Sequence, residues 1–334
     1  MHLALFQEKL SGKKVRCRLC NHYCIIEDGE RGICKVRINK DGQLYSLVYE
    51  NLVARNIDPI EKKPFFHFLP GSTSFSISTS GCNFKCKFCQ NFEISQVPSD
   101  YQPYGTGISA AEIVRLAKKY NCKSISYTYT EPTVFFEYAY ECAILAKKAG
   151  LRNNFVTNGY MSNEALRKIA PYLDAANVDL KGDERFYNEL CGAHVAPVLN
   201  NIKTMKELGI WVEITTLIIP GYNDGYDVFN WLMESLGKIS FEIPWHLSRF
   251  FPTYKMSDHT PTSVEKIREL RRKARESGFC YVYTGNIVGD EGENTFCPRC
   301  GYTLIIREGY IIDENNIVNG ACKKCGFKIA GVWE

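Results

Sequence analysis

Three cysteines, Cys82, Cys86 and Cys89, fall within the stretch TSGCNFKCKFCQNF, residues 79–92. A disulfide takes two partners and a closed zinc site takes four. Three thiolates on one short loop suit a metal centre that keeps a position open. The C-x3-C-x2-C spacing can give one thiolate to each of three irons in a four-iron cluster, leaving the fourth iron for a substrate or cofactor. The competing arrangement is a zinc site of three cysteines completed by His67 or His246, neither of which is close in sequence.

The chain holds fifteen cysteines, and most of the others are also grouped. Clustered thiols in a reducing compartment are more often metal ligands than disulfides. At the C-terminus, CPRCG (297–301) and CKKCG (322–326) form two C-x2-C knuckles, each followed by a turning glycine. Cys297, Cys300, Cys322 and Cys325 then close a zinc tetrahedron; a rubredoxin-like iron site uses the same ligands. So short a segment buries too little core to fold alone, and zinc worth about 10–16 kcal/mol would supply what is missing. A structural role is expected, with grip on a nucleic acid or protein partner as the alternative.

The N-terminal group is less legible. CRLCNHYC supplies Cys17, Cys20 and Cys24, and Cys34 follows at RGIC. These four can hold zinc, the preferred reading, or an auxiliary iron–sulfur cluster that relays electrons or binds substrate; spacing does not choose between them. His22 could displace one of them. Cys122, Cys142 and Cys280 read as small buried thiols; Cys191, in NELCGAH, is expected in a loop, with a redox or substrate role as the sharper possibility.

Six strand-like runs must position these groups: 74–79, 123–128, 153–157, 175–180, 211–219 and 239–246. Helical stretches lie between them at 109–120, 134–150, 162–173 and 196–209, and another follows at 262–278. The first opens with a capping box, Ser109 and Glu112. Strand–helix alternation implies α/β architecture with parallel strands, either a partial barrel or an open doubly wound sheet. In both, the loops after the strands form the active edge, and the three-cysteine loop follows the first strand.

CNFKCKFC resembles the signature of the radical S-adenosylmethionine (SAM) superfamily, with Phe88 in the aromatic position before the third cysteine. The resemblance implies a partial (β/α)6 TIM barrel and a 4Fe–4S cluster whose open iron chelates SAM. Reductive cleavage of SAM would give a 5′-deoxyadenosyl radical that abstracts hydrogen from a substrate. YTYTEP (127–132) resembles the turn that binds the methionine amino group, which implicates Thr130 and Glu131. FVTNGY (155–160) and NVDLKG (177–182) are similar to strand ends of enzymes that activate glycyl-radical enzymes, which implies that Asn158, Asp179 and Lys181 face SAM. A plain ion pair between Asp179 and Lys181 is the alternative. PWHLSRFFP (244–252) matches the sixth strand end and offers His246 to the pocket, unless that histidine is structural. Across DPIEKKPFFHFLPG, IPGYND and NTFCPRCG the chain also resembles the radical SAM enzyme of the AmmeMemoRadiSam system, a pyruvate formate-lyase activating enzyme homologue.

Three domains are expected: a Cys-rich metal-binding domain at 1–70, the barrel at 71–289 and the zinc ribbon at 290–334. The implied partners are a ferredoxin- or flavodoxin-like reductant and a protein, peptide or small-molecule substrate. A net charge of +4 gives no strong attraction to nucleic acid or membrane, so RNA is a weaker choice of target. The start of the chain lacks the basic-then-apolar order of a signal peptide, and no apolar run reaches a membrane span, so a cytoplasmic protein is expected. A metal-held binding module without catalysis is the alternative from another class.

Overall fold

Ser74–Ser78, Ser124–Tyr127 and Ala175–Val178 are buried at every position, as strands covered on both faces must be. A computed structural model, which describes residues 1–334, joins them in one eight-stranded sheet. Its strands are β1 (Ala54–Pro59), β2 (Thr73–Ser78), β3 (Ser124–Tyr127), β4 (Arg152–Thr157), β5 (Ala175–Asp179), β6 (Trp211–Ile218), β7 (Trp245–Arg249) and β8 (Val282–Gly285). From β2 to β8 every neighbouring pair is parallel and in chain order, whereas β1 pairs antiparallel with β2. β1 and β8 stay unpaired with each other, so the barrel is open.

Six helices make the crossovers: α1 (Ala110–Lys119), α2 (Phe136–Lys148), α3 (Asn163–Ile169), α4 (Val195–Glu207), α5 (Tyr226–Gly237) and α6 (Val264–Glu276). The Oγ atoms of Ser109, Ser162 and Ser263 accept the backbone N–H groups of Glu112, Ala165 and Lys266 and so start α1, α3 and α6. Glu112 does not complete the capping box, because Arg115 takes its carboxylate.

The six βα units match the sequence reading, with additions. α5, absent from the sequence expectation, buries Phe229, Leu232, Met233 and Leu236. The sixth strand begins only at Trp245; the apolar run before it packs as a loop, with Phe241 against Phe279. β8 extends the parallel series by one strand.

Two small units flank the barrel. The N-terminal one contains two three-stranded sheets and is tied to α2 by a buried ion pair, Arg37 Nη1 to Glu137 Oε2 at 2.9 Å. The C-terminal one is a hairpin of Thr303–Glu308 and Ile311–Asn315 carrying the two cysteine knuckles. Its tail lies along the segment before β2: Leu69 N–H donates to the Val332 carbonyl and Val332 N–H to the His67 carbonyl, both at 2.7 Å. No helix is long and apolar enough to cross a membrane.

Candidate active site

The carboxyl ends of β2, β3, β4 and β5 bring most of the expected residues to one edge. Beyond β2, the cysteine loop docks on the helical stretch Tyr187–Cys191: Lys85 and Lys87 N–H groups donate to the carbonyls of Cys191 and Leu190 at 2.8 and 2.9 Å. Cys191 is therefore fully buried in a helical turn, not in the loop expected for it. Its thiol lies against Cys86, and this hydrogen bond, ahead of burial, raises the Cys86 titration well above the usual thiol range. The NELCGAH sequence carried no sign of this contact, because the turn is set by tertiary packing.

Each remaining thiol of the trio has a donor. Phe84 N–H reaches Cys82 Sγ at 3.4 Å, and Ser95 Oγ lies 3.1 Å from Cys89 Sγ. Asn158 Nδ2 donates to Asn83 Oδ1 at 2.7 Å and sits 4.0 Å from Cys82 Sγ. Two further buried polar atoms beside the trio, Ser80 Oγ and Asn83 Nδ2, have no partner in the protein. Unpaired buried donors are costly and point to a ligand. An anionic, sulfur-rich cluster held by the three thiols suits that donor set.

Glu131 organises the strand ends. One carboxylate oxygen accepts from Thr133 N at 3.0 Å, Thr133 Oγ1 at 2.5 Å and Thr157 Oγ1 at 2.8 Å; the other accepts from Asn158 N at 2.8 Å. Burial pushes its titration up despite these donors. Thr130 Oγ1 is likewise engaged, donating to the Thr79 carbonyl at 2.8 Å. These two side chains thus brace β2, β3 and β4 below Asn158. Asp179 and Lys181 do pair, at 2.7 Å, and Lys181 Nζ lies 5.6 Å from the centre of the buried Phe88 ring. Burial alone would lower Lys181, but Asp179 and then Cys86 hold it well above the usual lysine range.

His246 does not join this group. It is 2% exposed and its Nε2 meets Glu213 Oε2 at 2.8 Å. Glu213 also accepts the Phe66 and His67 N–H groups, from the segment that leads into β2. With the strand starting at Trp245, His246 is an early residue of β7, held toward the amino-terminal side and not at the pocket. The His67 ring is also spoken for, by the Ala330 carbonyl at 2.7 Å and Tyr283 Oη at 2.5 Å. Neither histidine therefore completes a zinc site with the trio.

At the other end of the barrel, the sulfurs of Cys297, Cys300, Cys322 and Cys325 all lie within 4.8 Å of one another, with Cys297–Cys325 at 3.7 Å and Cys300–Cys322 at 3.8 Å. Gly301 and Gly326, both at φ 70°, let the knuckles turn back so that their N–H groups reach the Cys297 and Cys322 carbonyls. This is the convergence a single metal ion requires.

An open α/β barrel with a three-thiol loop at its carboxyl edge defines an enzyme class, and comparison with known proteins agrees. Residues 76–232 match the Radical SAM superfamily. An uncharacterised protein of Methanocaldococcus jannaschii is 46% identical over 337 residues, covering 98% of this chain and 99% of its own. A second protein of that organism, named as a glycyl-radical enzyme activating enzyme, is 30% identical over 217 residues, 63% of this chain and 79% of its own. The fold resembles a radical SAM methyltransferase from Sphaerobacter thermophilus, with a TM-score of 0.52 at 19% identity, over 65% of this chain and 67% of that one. The chain belongs to the radical SAM superfamily and has glycyl-radical activating enzymes among its relatives. Membership implies a 4Fe–4S cluster and SAM as cofactors.

Proposed function

We propose that this protein is a radical SAM enzyme of the activating type, acting on a protein or peptide. Cys82, Cys86 and Cys89 would hold the cluster; Asn158, Phe88 and the Asp179–Lys181 pair would face SAM, with Thr130 and Glu131 as positioning residues. When bound, the cluster supplies the electron that splits SAM into methionine and a 5′-deoxyadenosyl radical able to take hydrogen from a C–H bond. The chain's own part is geometric. Glu131 fixes the Asn158 backbone, Asn158 fixes Asn83 beside Cys82, and Lys181 places a cation next to Phe88 and Cys86. The observation that carries the reading is this continuous connection from Glu131 through Asn158 to the cysteine loop.

A protein or peptide target is supported by relatives named for activating other enzymes, including the 4-hydroxyphenylacetate decarboxylase activating enzyme of Clostridioides difficile, 24% identical over 59% of this chain. In this reading the 297–325 thiols bind zinc, and residues 1–70 and 290–334 are accessory domains. The test is anaerobic reconstitution followed by dithionite and SAM. 5′-Deoxyadenosine should form, and a deuterated candidate protein should pass deuterium into it. A reconstituted enzyme that leaves SAM intact refutes the reading.

A further inference from the structure

The N-terminal thiols are arranged unlike those of the ribbon. Cys17, Cys20, Cys24 and Cys34 line one largely apolar pocket, which Arg37 and Asn83 also line. Their sulfurs are not gathered around one point as those of the ribbon set are. One tetrahedral zinc, with Zn–S bonds of about 2.3 Å, gathers four sulfurs tightly around a point. A four-iron cluster places each thiolate on a different iron and so spreads them around a volume.

Arg37 adds an independent sign of a ligand. It is 2% exposed, and its terminal nitrogens are taken by Glu137 and the Leu5 carbonyl. Its Nε has no partner. A buried, unpaired N–H on a cation beside four thiols is suited to hydrogen-bond an anionic sulfur cluster.

The cavity also abuts the barrel loop on both sides of Cys82. On one side Gly81, at φ 96°, is packed so closely that a Cβ there would lie 2.6 Å from Val36 Cγ1 and 3.0 Å from the Cys34 carbonyl oxygen. On the other, the Asn83 carbonyl oxygen is 2.8 Å from His22 Nε2.

We propose that Cys17, Cys20, Cys24 and Cys34 hold a second 4Fe–4S cluster, placed to relay electrons to the barrel loop. Four protein thiolates leave no iron open, so substrate binding is not its role. One electron from a ferredoxin- or flavodoxin-class donor reduces it, and that electron passes on across the Gly81–Asn83 contact; no bond is made or broken and no proton moves. The relay rests on the radical SAM function proposed above, whereas the metal site does not.

The full chain, reconstituted anaerobically with ferrous iron and sulfide, decides the matter by metal counting against C20S/C24S. The variant should lose about four irons and no zinc; loss of one zinc with iron unchanged overturns the cluster. Conversely, C82A/C86A/C89A should keep about four irons and a dithionite-induced EPR signal that SAM does not alter, and an iron-free triple variant overturns it too. C20S/C24S should also make 5′-deoxyadenosine at least tenfold more slowly with a flavodoxin donor than with dithionite, after normalising each rate to the unaltered chain. Equal normalised rates overturn the relay. An unaltered protein with both clusters but no SAM cleavage would strike the proposed function and leave this metal site standing.

Discussion

Glu131→Ala should reveal how much of the active edge depends on one buried carboxylate. The change removes the acceptor for two backbone N–H groups, of Thr133 and Asn158, and for the hydroxyls of Thr133 and Thr157. The hydroxyls can turn to other acceptors, but the two amides are fixed by the backbone. Each buried amide left unpaired costs about 1–3 kcal/mol, so the variant should lose about 2–6 kcal/mol. Zinc-loaded, iron-free protein unfolded in urea gives the measurement. With a slope of about 3 kcal/mol per M, the midpoint should fall by about 0.7–2 M. Glu131→Gln keeps one acceptor but sets its NH2 against a donor, so a loss of about 1–3 kcal/mol is expected. In reconstituted protein both variants should also weaken the response of the barrel cluster's EPR signal to SAM, because Asn158 is no longer held. If Glu131→Ala unfolds within about 0.5 kcal/mol of the parent, the bracing role is wrong.

Arg37→Met leaves Glu137 buried without its partner and should cost about 3–5 kcal/mol in the same urea assay, while R37M/E137L should recover much of it. Cys322→Ser should abolish zinc binding at the ribbon by elemental analysis and open Lys323, Lys324 and Lys328 to trypsin, which the metal-loaded parent resists. Burial pushes His67 down to about 4 from an ordinary 6.5, so the unfolded chain binds the extra proton between those values. Stability should accordingly hold above pH 6.5 and drain away as pH falls toward about 4, by about 3 kcal/mol in all. Urea midpoints at several pH values check this, and His67→Gln should flatten the decline.

Motif spacing and strand burial made the barrel and its cysteine loop legible, because both are local. Ser109, Ser162 and Ser263 mark helix starts by capping chemistry that depends only on the next few residues. β1 was invisible for the opposite reason: ARNIDP is a polar edge strand, exposed at Arg55, Asn56 and Ile57, with no apolar run to announce it. The run 239–243 looked like a strand, yet packing of Phe241 on Phe279 holds it as a loop and shifts His246 into the interior. At the site, the Asp179–Lys181 pair followed from their spacing. Cys191 against Cys86, and Asn83 beside the N-terminal thiols, join residues distant in the chain and could be found only in three dimensions.

The tail has a kinetic corollary. The His67–Ala330 contact closes a span of 263 residues, and Leu69 and Val332 meet beside it. Contacts so distant along the chain pay their loop-closure entropy before they return anything, so they form late. During synthesis the βα units must stack while the His67 ring waits, wetted, for a segment 263 residues further along the chain. That interval, more than the finished fold, is when this molecule is most exposed to aggregation, and prompt metal capture by the knuckles would shorten it.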